Sequence, residues 1–198
     1  MPTPFPHPPR RRQRPLRLRL LATLRPARSI AVVGVGSDLR GDDVVGLLVV
    51  RALRTALASA RHPAFRLFEG GTAPENLTGE ILRFRPSHIL LADAADLGLK
   101  PGAVSLIEPE DAGGVSFSTH VLPLKILTDY LAQSFPCRIV IIGIQPGRID
   151  FGAAPSAWIK PTVLRLSQAI LQAAQQSAAW PIPTPASKPK AKKGPPSR

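Results

Sequence analysis

A single cysteine, Cys137, in 198 residues excludes an intramolecular disulfide framework and fits a reducing compartment. No apolar run approaches the roughly 18–20 residues needed to span a bilayer. The start of the chain has no continuous apolar segment followed by a small-residue cleavage site, which argues against a secretory signal, although an Arg-rich, acid-free start is shared with some organellar transit peptides. Acidic residues are missing from both ends. Residues 1–28 hold eight arginines and no acid, and residues 180–198 hold five Lys/Arg and no acid. The formal net charge is +13, which taken whole suggests a nucleic-acid or membrane-surface binder. Its location says otherwise, because residues 29–179 carry 13 basic and 13 acidic groups and are formally neutral.

The same ends hold 13 of the 23 prolines. Such compositions cannot form a core. Residues 1–28 and 180–198 are therefore expected to be disordered extensions flanking one domain, residues 29–179. For the N-terminal extension a start codon assigned too far upstream is the other reading. The chain is 44% hydrophobic, so the central stretch can bury a core of ordinary size.

Within that stretch, apolar runs alternate with helical patterns. SIAVVGV (29–35) reads as a buried strand ending in glycines. A helix is expected from about Asp42 to Ala60, with acids in its first turn and arginines later. FRLFE (65–69) is a second strand, and Pro74 opens a helix to about Phe84. HILLADA (88–94) and AVSLIE (103–108) are the next strands. Thr119 is placed to cap a helix to about Ser134. CRIVIIGI (137–144), the most hydrophobic strand, is expected to be central, and a last helix begins near Ser156 or Pro161. This alternation predicts a three-layer α/β/α sandwich with a mostly parallel twisted sheet of about five strands.

Ligands of an open parallel sheet bind beyond the carboxyl ends of its strands. There the sequence gathers Asp42-Asp43 after the first strand, Glu69 at the end of the second and Asp93 at the end of the third, with His120 leading into a later helix. Asp38, Asp96 and Glu108 are bystander candidates. The glycine loop Gly34–Gly41 has GxGx4G spacing, not the dinucleotide GxGxxG, and two carboxylates beside it would repel a pyrophosphate. No Walker lysine follows. The glycines are expected instead to turn the backbone tightly and bring Asp43 over the strand ends.

Each acid has a plainer reading. Asp42 and Asp43 at a helix N-terminus are worth about 0.3–1 kcal/mol as charges alone. His120 in isolation reads as a loop or cap residue. Asp93 is harder to dismiss, because an acid closing the run Ile89-Leu90-Leu91-Ala92 is costly unless paired, hydrogen-bonded or bound to metal. His88 lies at the wrong end of its strand, His7 and His62 lie in tail and loop, and Cys137 reads as an inert thiol. Two carboxylates and an imidazole form an O,O,N set for a divalent transition ion, and spacing alone does not choose the metal. The pattern is not HExxH.

The segments VVGVGSDLRGDDVVG (32–46), EGGTAPEN (69–76), LLADAADLGLKPG (90–102), STHVLPL (118–124) and IGIQP (142–146) together resemble the maturation endopeptidases of nickel–iron (NiFe) hydrogenases, over about residues 30–170. Within that family GGTAPEN, GLKPG, THxxPL and GIQP are most like the type serving hydrogenase 3 of the formate hydrogenlyase complex. The resemblance implies an endopeptidase that removes a C-terminal peptide from the precursor of a hydrogenase large subunit once nickel is installed. Asp43, Asp93 and His120 fall on the family's metal-site motif as catalytic and metal-contacting residues. Glu69 stands where relatives usually have Asp and is left out of that set. Nickel supplied by the precursor is the implied metal, another divalent ion being the alternative occupant. A cytoplasmic, monomeric enzyme is expected, with the precursor as partner and no nucleic acid bound by the core.

Two other classes compete. One is a non-cleaving checkpoint or escort of the same fold, against which the retained Asp43/Asp93/His120 set argues. The other is a nucleic-acid or anionic-membrane binder acting through the basic tails, with steep salt dependence.

Overall fold

Runs with no polar face become strands covered on both sides, and three such runs build the centre of the molecule. The computed structural model describes residues 15–57, 62–117 and 121–180. Strands β1 (Ile30–Val35), β2 (Phe65–Gly71), β3 (His88–Asp96) and β6 (Arg138–Ile144) are mutually parallel, and β4 (Val104–Ile107) runs antiparallel on β6. The order across the sheet is β2-β1-β3-β6-β4. A two-residue β5 (Ser116–Phe117) is added antiparallel to the end of β3, with Phe117 opposite Ala95. The five-stranded path matches the expected sheet. Residues 138–144 are interior as expected, but β3 takes the middle position.

Helices α1 (Leu16–Leu24), α2 (Val45–Ala56) and α5 (Ile159–Gln175) cover one face, packing on Ile30, Val32, Leu90, Val140 and Ile142. On the other face α3 (Thr78–Phe84) and α4 (Val121–Ser134) pack on Ala31, Val33, Ile89, Leu91 and Ile141. Consecutive strand residues enter opposite cores, as the two-residue period of a strand requires. From β1 the chain goes one way to β2 and the other way to β3, so the strand order reverses between β1 and β3. That reversal opens a crevice at their carboxyl ends.

The expected N-terminal boundary is corrected by α1. Leu20 and Leu24 are fully buried against α5, and the Arg19 guanidinium donates to the Leu106 carbonyl at 2.8 Å. Leu16, Leu20 and Leu24 recur every four residues, a helical stripe that the high arginine and proline content of residues 1–28 concealed. The domain therefore includes the chain from Leu16. At the other end Trp180, assigned to the tail, stacks on His62 at 4.2 Å and meets Phe65 edge-on at 6.2 Å. The rest of both expected tails, 1–14 and 181–198, lies outside the described residues.

Candidate active site

Two close backbone approaches set the geometry of the crevice. Gly36, just past β1, has φ +135°, and a Cβ there would lie 1.8 Å from the Asp43 carbonyl oxygen. The loop therefore folds back on itself and enters a single 3₁₀ turn, Gly41–Val44, before α2. Gly46, in the first turn of α2, approaches both strands, and a Cβ there would fall 2.2 Å from the Ala92 oxygen and 2.3 Å from that of Val35. The helix start lies directly on the ends of β1 and β3. As expected from the sequence, the glycines bring Asp43 over the strand ends, beside Asp93.

Asp93 is fully buried, on the same side of β3 as Ile89 and Leu91. Neither carboxylate oxygen has a hydrogen-bond partner of good geometry among the described residues. Burial pushes its pKa well above the usual carboxylate range, and the nearby Asp43 charge pushes the same way. The Ala94 amide supplies only a weaker opposing pull. Such a carboxyl takes up either a proton or a cation. Asp43, equally inaccessible, completes a two-acid centre. Among the described residues no three His, Cys, Asp or Glu side chains converge. His120 lies outside the described residues. The described chain stops at Phe117, opposite Ala95, and resumes at Val121, the first residue of α4.

Asp42, also fully buried, does different work. Its carboxylate accepts from the Gly147 and Arg148 amides at 2.8 and 3.0 Å, and from the Ser156 amide and hydroxyl at 2.7 and 3.0 Å. It fastens the loop after β6 to the turn before α2. Gln145 does the same for the loop after β3. Its side-chain oxygen accepts from the Leu97 and Leu99 amides at 2.7 and 3.1 Å, and its Nε2 donates to Asp96 at 3.2 Å. Sequence reading assigned neither role. The available signals were the second acid of the Asp-Asp doublet and the glutamine of IGIQP.

The remaining candidates do not join the centre. Glu69 is held below the usual carboxylate range chiefly by the Arg54 hydrogen bond and also by Arg51, whose Nε donates at 2.9 Å. Arg51 also grips Asp38 through both its terminal nitrogens, at 2.6 and 2.9 Å. Glu69 is thus spent on guanidinium groups. Glu108 pairs with Arg138 at 2.7 Å, and Asp96 accepts from the Gly98 amide at 3.1 Å. His88 is buried at the opposite end of β3, beside Ser87. Burial raises the Cys137 thiol, as befits an inert one.

The profile of the hydrogenase maturation protease family matches residues 48–173, nearly all of the chain from α2 to α5. This chain belongs to that family. The matched stretch contains Asp93 and His120, with Asp43 just upstream. A putative hydrogenase maturation protease of Methanocaldococcus jannaschii is 35% identical over 136 residues, covering 67% of this chain and 80% of the relative. The hydrogenase 3 maturation protease of Escherichia coli K12 is 36% identical over 118 residues, 59% of this chain and 72% of its own. Among solved structures, the NiFe hydrogenase maturation protease HycI of Thermococcus kodakarensis KOD1 superposes with a TM-score of 0.72 at 31% identity, covering 79% of this chain and 98% of that one. The protein is accordingly an endopeptidase with the α/β fold of its family. No helix among the described residues is long and apolar enough to cross a membrane.

Proposed function

We propose that this endopeptidase removes a C-terminal peptide from the nickel-loaded precursor of a NiFe-hydrogenase large subunit, most like the clients of the hydrogenase 3 type, in the cytoplasm. The observation that carries the reading is the pair Asp43 and Asp93. Both are fully buried at the reversal point of the sheet, and neither Asp93 oxygen has a hydrogen-bond partner of good geometry among the described residues. A desolvated pair of carboxyl groups is suited to a divalent cation that arrives from outside, and the client brings its own nickel.

In this reading Asp43, Asp93 and His120 contact the client's nickel and so set the adjoining peptide bond at the crevice. Nickel there supplies polarisation of a carbonyl or activation of a water. Asp93 would hold the cation as its carboxylate, the form that burial disfavours when no cation is present. The buried position of both acids keeps bulk water from competing for the metal. Asp42 and Gln145 hold the surrounding loops in place.

Asp43→Asn and Asp93→Asn test the reading. Each variant is expected to leave the precursor's mass unchanged while its circular dichroism matches wild type. Normal processing by both variants would overturn the assignment of the site.

A further inference from the structure

The exposed large apolar side chains among the described residues fall into two groups. Leu18, Ile126, Tyr130 and Leu164 stand on helices. Leu39, Leu99 and Phe151 stand one each on the loops leaving β1, β3 and β6, and are 60%, 39% and 78% exposed. Those three strands are neighbours in the sheet, and all three loops leave the edge that carries Asp43 and Asp93. One apolar side chain turned to water on each of three adjacent loops is a patterned departure from the usual polar loop tip.

None of the three loops is slack. The Gly152 amide donates to the Leu39 carbonyl at 2.8 Å and the Gly41 amide to the Ala153 carbonyl at 3.1 Å, which ties the first loop to the third. Asp42 grips the third loop on both sides of Phe151, at Gly147, Arg148 and Ser156. Leu99 is fixed through its own amide to the buried Gln145. Buried polar side chains thus hold exposed apolar ones in place, an arrangement that favours a partner over solvent.

We propose that Leu39, Leu99 and Phe151 form a preset apolar rim that docks an extended segment of the client polypeptide across Asp43 and Asp93. Adjacent strands lie about 4.8 Å apart, so β1 to β6 spans roughly 10 Å, the length of about three extended residues. That dimension, with contacts spread over three loops, suits a stretch of chain carrying apolar side chains beside the scissile bond. The inference rests on the client proposed above.

The test immobilises the nickel-loaded large-subunit precursor of the host's own hydrogenase and measures equilibrium binding of the full chain, alongside steady-state cleavage. The triple variant Leu39→Ser/Leu99→Ser/Phe151→Ser is expected to bind about tenfold or more weakly, with the loss falling on KM more than on kcat. A conservative triple, Leu39→Met/Leu99→Met/Phe151→Leu, is expected to bind within about threefold of wild type. Leu164→Ser, which exchanges an equally exposed leucine on α5, should leave binding unchanged. Binding by the serine triple within about twofold of wild type would overturn the rim, as would an equal loss in Leu164→Ser or no binding by wild type. Wild type that binds the precursor without changing its mass would sink the cleavage reading, and the same binding ratios would still decide the rim.

Discussion

The amide and hydroxyl of Ser156 both donate to the buried carboxylate of Asp42, at 2.7 and 3.0 Å. This joins the segment before α5 to the turn before α2, and it separates the work of two adjacent acids. Asp42 spends its lone pairs on the protein's own backbone. Asp43 lies close enough to Asp93 for its charge to act on that carboxyl, whose oxygens accept no well-formed hydrogen bond among the described residues. One member of the doublet builds the crevice and the other furnishes it.

Removing the carboxylate in Asp42→Ala strands three amides, those of Gly147, Arg148 and Ser156. The expected loss is about 3 kcal/mol or more, against about 1 kcal/mol for Ser156→Ala, which deletes one hydroxyl. Urea unfolding of both variants measures the difference. Equal, small losses would mean that the loop is held by other contacts.

Asp93→Asn should make the metal-free protein more stable at neutral pH while abolishing processing. The folded pKa of Asp93 lies above its unfolded value of about 3.9, so the folded state binds more protons between those two values. Stability of the wild type therefore declines as pH rises through that window. The asparagine variant lacks this term. Thermal midpoints of both proteins at several pH values between about 5 and 8 should diverge upward in favour of the variant, each kcal/mol appearing as about 2–4 °C. Parallel curves would contradict the burial of an unpartnered carboxyl.

Glu69→Gln is expected to process the precursor within about threefold of wild type and to lose about 0.5–1 kcal/mol of stability, since its partners are the partly exposed Arg51 and Arg54. An inactive but folded variant would place Glu69 among the metal contacts after all.

Gly46→Ala should fail to give active protein, because the added methyl meets the Ala92 and Val35 oxygens at 2.2 and 2.3 Å. Both are sheet backbone, so relief requires α2 to lift from the strand ends, and Asp43 with it. Gly79→Ala, a substitution with open space around it in α3, is the control and should be neutral or slightly stabilising. Full activity in Gly46→Ala would show that the close approach is dispensable.

The strands were legible because parallel strands buried on both faces, such as Ile30–Val35 and His88–Asp96, leave unbroken apolar runs. Asp93 was legible for the same reason, as an acid where the run has no room for one. Helix α1 was hidden because its leucines lie four apart among arginines and prolines, so composition outweighed period. The tasks of Asp42 and Gln145 were hidden for another reason. Their partners are backbone amides, those of Ser156 and Leu99 among them, and a bond to a main-chain group leaves no mark on the partner's residue type.

The most direct test of the account is intact-mass measurement of a large-subunit precursor after incubation with the full chain, with and without nickel installed. The account predicts loss of a C-terminal peptide from the nickel-loaded form alone. Equal cleavage of both forms, or of neither, would contradict it.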